Sequence, residues 1–152
     1  KVRSGMKTKK ITIAEVEYVA FSLAQELMTW NEPIPDFGTR FPNILESCIV
    51  SPFIQFNRKD LYRGLVGKAS ILFYLMIKNH PFQNGNKRTA TATLLVFLHI
   101  NNYWLSNNKK EIQDYLVSLA ERLAKSKGSV EKDLFLSEIE SWLTKNLIRV
   151  KQ

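Results

Sequence analysis

Nine consecutive residues, His80-Pro81-Phe82-Gln83-Asn84-Gly85-Asn86-Lys87-Arg88, gather an imidazole, three side-chain amides, a glycine and two adjacent cations. Those types in that order suit the handling of an anion. If a helix opens near Lys87, its first N–H groups have no partner inside the helix and carry the positive end of its dipole. Lys87 and Arg88 stand at that end, where cations are misplaced unless an anion is there to share them. Asn86 is suited to capping the same helix, and Asn84 with Gly85 permits a tight turn. Histidine is the side chain that exchanges a proton most readily near neutral pH, which makes His80 the candidate general base. A base beside a phosphate-sized anion site points to phosphoryl or nucleotidyl transfer. The plain alternatives are a histidine that satisfies a carbonyl at a helix end, and two solvated helix cations.

Two unusually apolar stretches must hold this loop, Ala69–Ile77 before it and Thr93–Ile100 after it. Both read as helices buried on nearly all sides. Pro81 ends the first, because the residue before a proline avoids the helical region. That helix is expected to start between Asn57 and Asp60 and to reach Asn79. Gly64 and Gly67 inside it each cost about 1 kcal/mol against alanine, which suggests close helix packing. The helix after the loop should run to about Asn101, with Phe82 as an apolar anchor and His99 structural. Upstream, Thr12-Ile13-Ala14-Glu15 reads as a capping box, and apolar residues recur at helical spacing through Trp30. Asn31–Gly38, with two prolines and a glycine, is a surface loop. A short helix follows over Pro42–Val50, with proline in its first turn. Downstream come an extended piece at Tyr103–Leu105 and an amphipathic helix over Lys109–Lys125. The last helix should be capped by Ser129 and run through Leu147, with Leu134, Ile139, Trp142 and Leu143 facing inward. The chain is expected to be all-α, a compact helical bundle.

HPFQNGNKR resembles the signature loop of the Fic/Doc superfamily, His-Pro-Phe-x-Asp/Glu-Gly-Asn-Gly/Lys-Arg. Thr89-Ala90 extends it in the manner of the death-on-curing (Doc) branch. Ile44-Leu45-Glu46-Ser47 with Pro52, and the stretch Leu72–Asn79, are similar to the corresponding segments of Doc-like toxins, and the resemblance runs from about Thr12 to Leu147. It implies a Fic/Doc-type bundle over residues 11–150 with the loop between two central helices, and a segment upstream of the loop that helps to dock a target chain. It implies His80 as the base that takes the proton of a target hydroxyl, with Gly85, Asn86, Lys87 and Arg88 as the nucleotide-phosphate site. Asn84 stands where the family has an acid that holds magnesium, which leaves three outcomes open: Asn84 as a weak metal ligand without the charge, another acid in its place, or an enzyme that is slow or inactive. Enzymes of the family that attach AMP usually have glycine at the place of Lys87 and a second arginine at the place of Thr91; both differences match the Doc branch. The implied reaction is transfer of the terminal phosphate of ATP or another nucleotide to a Ser/Thr hydroxyl of a cellular protein, by resemblance a translation elongation factor. AMP transfer, and a domain that binds a partner without catalysis, stay open. The inhibitory helix of some family members has only a near-match, Ser22–Leu27, so a small acidic antitoxin acting in trans is the expected regulator.

The chain has 152 residues, one domain's worth, and 45% hydrophobic with 24% charged residues is ordinary for a globular protein. A single cysteine, Cys48, excludes an internal disulfide and a metal-binding cysteine set, and suits a reducing cytoplasm. No apolar run has the length of a membrane span, so no membrane partner is expected. The net charge of +8 reads plainly as a solvated basic surface and more sharply as a match for an acidic partner, a nucleotide, nucleic acid or an acidic protein, and charge alone does not choose among them. Nucleic acid is not the expected partner. Residues 1–10 are expected to be a disordered basic tail, of which residues 1–5, ahead of Met6, are open to being vector-derived.

Overall fold

Thr12 opens the helical part of the chain in the way its spacing to Glu15 requires. The Thr12 hydroxyl accepts from the Glu15 N–H at 3.1 Å, and the Glu15 carboxylate accepts from the Thr12 N–H at 2.9 Å. Two of the orphan donors of a helix start are thereby satisfied. The computed structural model describes residues 7–27, 34–127 and 131–150. After Thr12 come α1 (Ile13–Glu15), a wider π-type turn over Val16–Ala20, and α2 (Phe21–Leu27). The wide turn was not expected from the apolar spacing; Val16 and Ala20 within it are fully buried. The expected continuation to Trp30, the first residues of the Asn31–Gly38 loop and the Ser129 cap lie outside the described residues. Residues 7–12 run as coil, and the Lys9 N–H donates to Asn101 Oδ1 at 2.6 Å.

A short 3-10 turn, Phe37–Thr39, leads into α3 (Pro42–Val50), which spans the expected residues. The next segment departs from expectation. Instead of starting a helix, Asn57–Asp60 belongs to a two-stranded hairpin, β1 (Gln55–Phe56) against β2 (Lys59–Asp60). Its turn residues Asn57 and Arg58 both have positive φ, 53° and 65°. That is what a two-residue hairpin turn demands, met here without glycine. The hairpin is held by Lys68, which is 4% exposed. Its ammonium group lies 2.8 Å from Asp60 Oδ2 and 2.7 Å from the Tyr62 carbonyl.

Helix α4 (Gly64–Lys78) therefore begins at Gly64, whose φ of 63° makes the entry turn. Gly67 lies inside it against Tyr62: a Cβ there would sit 3.2 Å from the Tyr62 carbonyl carbon. Helix α5 (Asn86–Ile100) packs along α4, and the two supply the centre of the core, with Phe73, Met76, Leu94 and Leu98 almost wholly buried. Strand β3 (Tyr103–Leu105), α6 (Lys109–Lys125) and α7 (Lys132–Asn146) follow, and β4 (Leu147–Arg149) returns antiparallel to β3, with Trp104 opposite Ile148. Helix α6 buries Ile112, Leu116, Leu119 and Leu123, the expected face. On α7, Ile139 and Leu143 are buried, but Leu134 is 73% exposed and not inward-facing. Arg122 on α6 clasps Glu138 on α7 through two bonds of 3.0 and 2.6 Å, and the Tyr115 hydroxyl donates to the same carboxylate at 3.0 Å. The fold is helical with two minimal sheets, and no helix among the described residues is long and apolar enough to cross a membrane.

Candidate functional site

Helix α4 stops where Pro81 requires it to stop. Asn79 closes the last turn, its N–H on the Leu75 carbonyl at 2.9 Å. His80 then takes a left-handed backbone, φ 51°, a region uncommon outside glycine in which asparagine, aspartate and histidine are the enriched types. The imidazole is exposed, while Pro81 and Phe82 immediately after it are buried. The Pro81 carbonyl accepts from the N–H of Phe41, the residue before α3, at 2.9 Å. Phe82 is 1% exposed and packs with its ring centre 5.0 Å from Phe21 and 6.0 Å from Phe37. Two neighbouring elements thus fix the loop from outside, one through its backbone and one through an aromatic anchor.

Asn86 fixes it from inside. Its Oδ1 accepts from the Phe82 N–H at 3.0 Å and its Nδ2 donates to the Phe82 carbonyl at 2.9 Å. The expected role of Asn86 as helix cap is therefore corrected. Helix α5 begins at Asn86 itself, and Gly85, φ 71°, occupies the position before it with no side chain to cap the helix. The side chain of Asn86 is spent on closing the turn. The consequence for chemistry is direct: the first N–H groups of α5 receive no side-chain cap, so the anion-attracting end of the helix is left to a ligand or to solvent. The first turn carries no acidic residue. Lys87 is half-buried and Arg88 only 9% exposed. Thr89 and Thr91 turn their hydroxyls back onto the Gly85 and Lys87 carbonyls, both at 2.9 Å, and are fully buried.

The structure thus places His80 at the start of one short loop and Gly85, Asn86, Lys87 and Arg88 at its end. Asn84 lies between them. Its Oδ1 is buried and meets no donor, so it is an atom a cation could take. It is uncharged, however, and among the described residues no group of three or more His, Cys, Asp or Glu side chains is placed to hold a metal. Magnesium prefers one or two carboxylates together with substrate phosphates. The donor set fits that ion only where phosphate oxygens supply the charge.

Three contributors were not read from the sequence. Phe41 carries the N–H that meets Pro81. Cys48 on α3 is fully buried; burial pushes its thiol up to about 12, against the lowering effect of Asn79, one residue before His80. Arg40, next to Phe41, lays its guanidinium 4.3 Å from the centre of the Phe37 ring. The signal for Phe41 and Cys48 is proximity in space across some 30 to 40 residues, which spacing along the chain does not carry. His99 is exposed on the last turn of α5, edge-on to Trp104 at 6.2 Å, and far in sequence from the loop.

The family described as "Fic/DOC family" matches residues 14–98. A protein called "Toxin Doc" from Mycolicibacterium smegmatis is 33% identical over 101 residues, which cover 66% of this chain and 69% of that one. No solved structure gives a significant match.

Proposed function

The chain belongs to the Fic/DOC family, and on that premise we propose that it is a Doc-like toxin. It moves the terminal phosphate of ATP or another nucleotide onto a Ser/Thr hydroxyl of a cellular protein. The observation that carries this reading is the single loop. An exposed imidazole stands at one end of it, and a helix start without a side-chain cap, beside Lys87 and Arg88, stands at the other. The name of the relative supports a toxin. Lys87 and Thr91 favour phosphate over AMP transfer by the resemblance described above. Thr91 is fully buried with its hydroxyl on the Lys87 carbonyl, so that position brings no second arginine to the nucleotide.

In this mechanism the target hydroxyl attacks the terminal phosphorus as His80 takes its proton. The bond from that phosphorus to the bridging oxygen breaks, and the nucleoside diphosphate leaves with the electron pair. The amides at the start of α5, with Lys87 and Arg88, hold the phosphates and the charge that develops on the leaving group. Asn86 keeps Gly85 and those amides in place. Magnesium bound with the nucleotide would neutralise phosphate charge, with Asn84 Oδ1 as the ligand from this chain. The target by resemblance is a translation elongation factor, the compartment the cytoplasm, and the regulator a small acidic antitoxin drawn to a basic protein.

Parallel incubations of a cell extract with γ-labelled and α-labelled ATP test the reading. Label entering protein from the γ position only is the expected result. Label from the α position only replaces phosphate transfer by AMP transfer. No label from either, with toxicity intact in His80→Ala, replaces catalysis by partner binding.

A further inference from the structure

Arg40 has a charge that nothing in the described chain neutralises. Arg40 is a partner in none of the ion pairs Lys68–Asp60, Lys110–Asp114 and Arg122–Glu138. The guanidinium of Arg40 has instead a cation–π contact with Phe37 at 4.3 Å and one bond from Nη1 to the Phe37 carbonyl at 3.3 Å. Its Nε is buried and meets no acceptor. A half-buried guanidinium with an unmet donor is costly unless something else takes that donor. The next residue, Phe41, donates to the Pro81 carbonyl at 2.9 Å, immediately after His80. The ring it stacks on packs against Phe82 at 6.0 Å. Arg40 thus stands beside the motif loop, its neighbour Phe41 bonded to Pro81 and its stacking partner Phe37 packed on Phe82, in a segment outside the signature loop.

The geometry points to Arg40 as a further phosphate-binding residue, a third cation that reaches the nucleotide's phosphates from the side of α3. This rests on the transfer reading above and deepens it. A planar guanidinium suits a phosphate because it offers parallel donors at fixed spacing. Stacking on Phe37 holds that plane in one orientation before the ligand arrives, so less freedom is lost on binding. The unmet Nε donor gains an acceptor when a phosphate oxygen reaches it.

Calorimetric titration with ATP and magnesium, and separately with inorganic tripolyphosphate, of the wild type, Arg40→Gln and Arg40→Lys tests this, alongside thermal unfolding of each. Arg40→Gln should bind ATP about ten- to a hundredfold more weakly at an unchanged melting temperature, with Arg40→Lys between the two. Equal ATP affinity in wild type and Arg40→Gln overturns the proposal. So does a variant that keeps its ATP affinity but modifies the protein target more slowly, since Arg40 would then face the target. If the wild type binds no ATP, the transfer reading fails by itself. Arg40 is then judged on tripolyphosphate, where equal affinities of wild type and variant overturn its anion role. If Arg40→Gln does not fold, Arg40→Lys decides: a severalfold loss of affinity at unchanged melting temperature supports the role, and none overturns it.

Discussion

At the scale of single residues, the loop separates conformation from chemistry. His80 is held at φ 51°, a backbone that asparagine tolerates and most side chains resist. His80→Asn therefore keeps the turn and removes the base. We expect its melting curve to stay within about 0.5 kcal/mol of wild type, while label transfer falls by about a hundred- to ten-thousandfold. A large loss of stability would mean the imidazole holds the loop. Asn84 is the complementary case. Its buried Oδ1 meets no donor, so Asn84→Asp adds charge where an uncharged oxygen stands. Transfer should rise and saturate at lower magnesium; an unchanged magnesium dependence would remove Asn84 from the metal site. The residue types of the loop were legible in the sequence because they are contiguous. The use of Asn86 was not. A side chain suited to capping a helix can equally bond a backbone four residues earlier, and the left-handed Gly85 decided between them by leaving the capping position empty of side chain.

At the scale of elements, local signals carried furthest where they were strong. Pro42 in the first turn and the apolar face of Lys109–Lys125 placed α3 and α6 at the expected residues. The hairpin carries no glycine signal in the sequence, so Asn57–Asp60 reads as a helix start; Arg58 occupies the position where glycine usually advertises the geometry. Leu134 was read inward because it fits the helical period, yet the last helix docks on its C-terminal half through Ile139 and Leu143. Gly67 shows how one element constrains another. Alanine there gains helix propensity, but its Cβ would stand 3.2 Å from the Tyr62 backbone. That backbone is pinned by Lys68, bonded to the Tyr62 carbonyl at 2.7 Å, and cannot retreat. Crowding wins over propensity, so Gly67→Ala should lower stability by about 1–2 kcal/mol. Urea unfolding measures it; a more stable variant would show that Tyr62 yields.

At the scale of the whole molecule, the consecutive helices α6 and α7 are clasped by groups whose charge depends on pH. The carboxyl of Glu138 is held below its ordinary value of 4.5, chiefly by Arg122 and also by the Tyr115 hydroxyl, against the opposing effect of burial. A lowered carboxylate contributes fully above its ordinary value and loses its contribution as pH falls through the lowered one. Wild type should therefore exceed Glu138→Gln by up to about 1 kcal/mol at pH 7, both partners being partly exposed. The gap should close progressively below pH 4.5. Urea titrations of both proteins across that range check it, and a gap independent of pH would assign the effect to packing. None of these long-range pairings was legible, since pairing of β3 with β4 or of α6 with α7 depends on how the chain returns. One return has a practical outcome. Lys9 bonds to Asn101, and the Val150 N–H donates to the Asn102 carbonyl at 2.9 Å, so both outer segments converge on the turn after α5. The loop with His80 lies at the other end of that 15-residue helix, about 22 Å away. A circularly permuted chain, with residues 9 and 150 joined by a short glycine-serine bridge and new ends opened between α6 and α7, should keep its native melting behaviour and leave the His80 loop untouched.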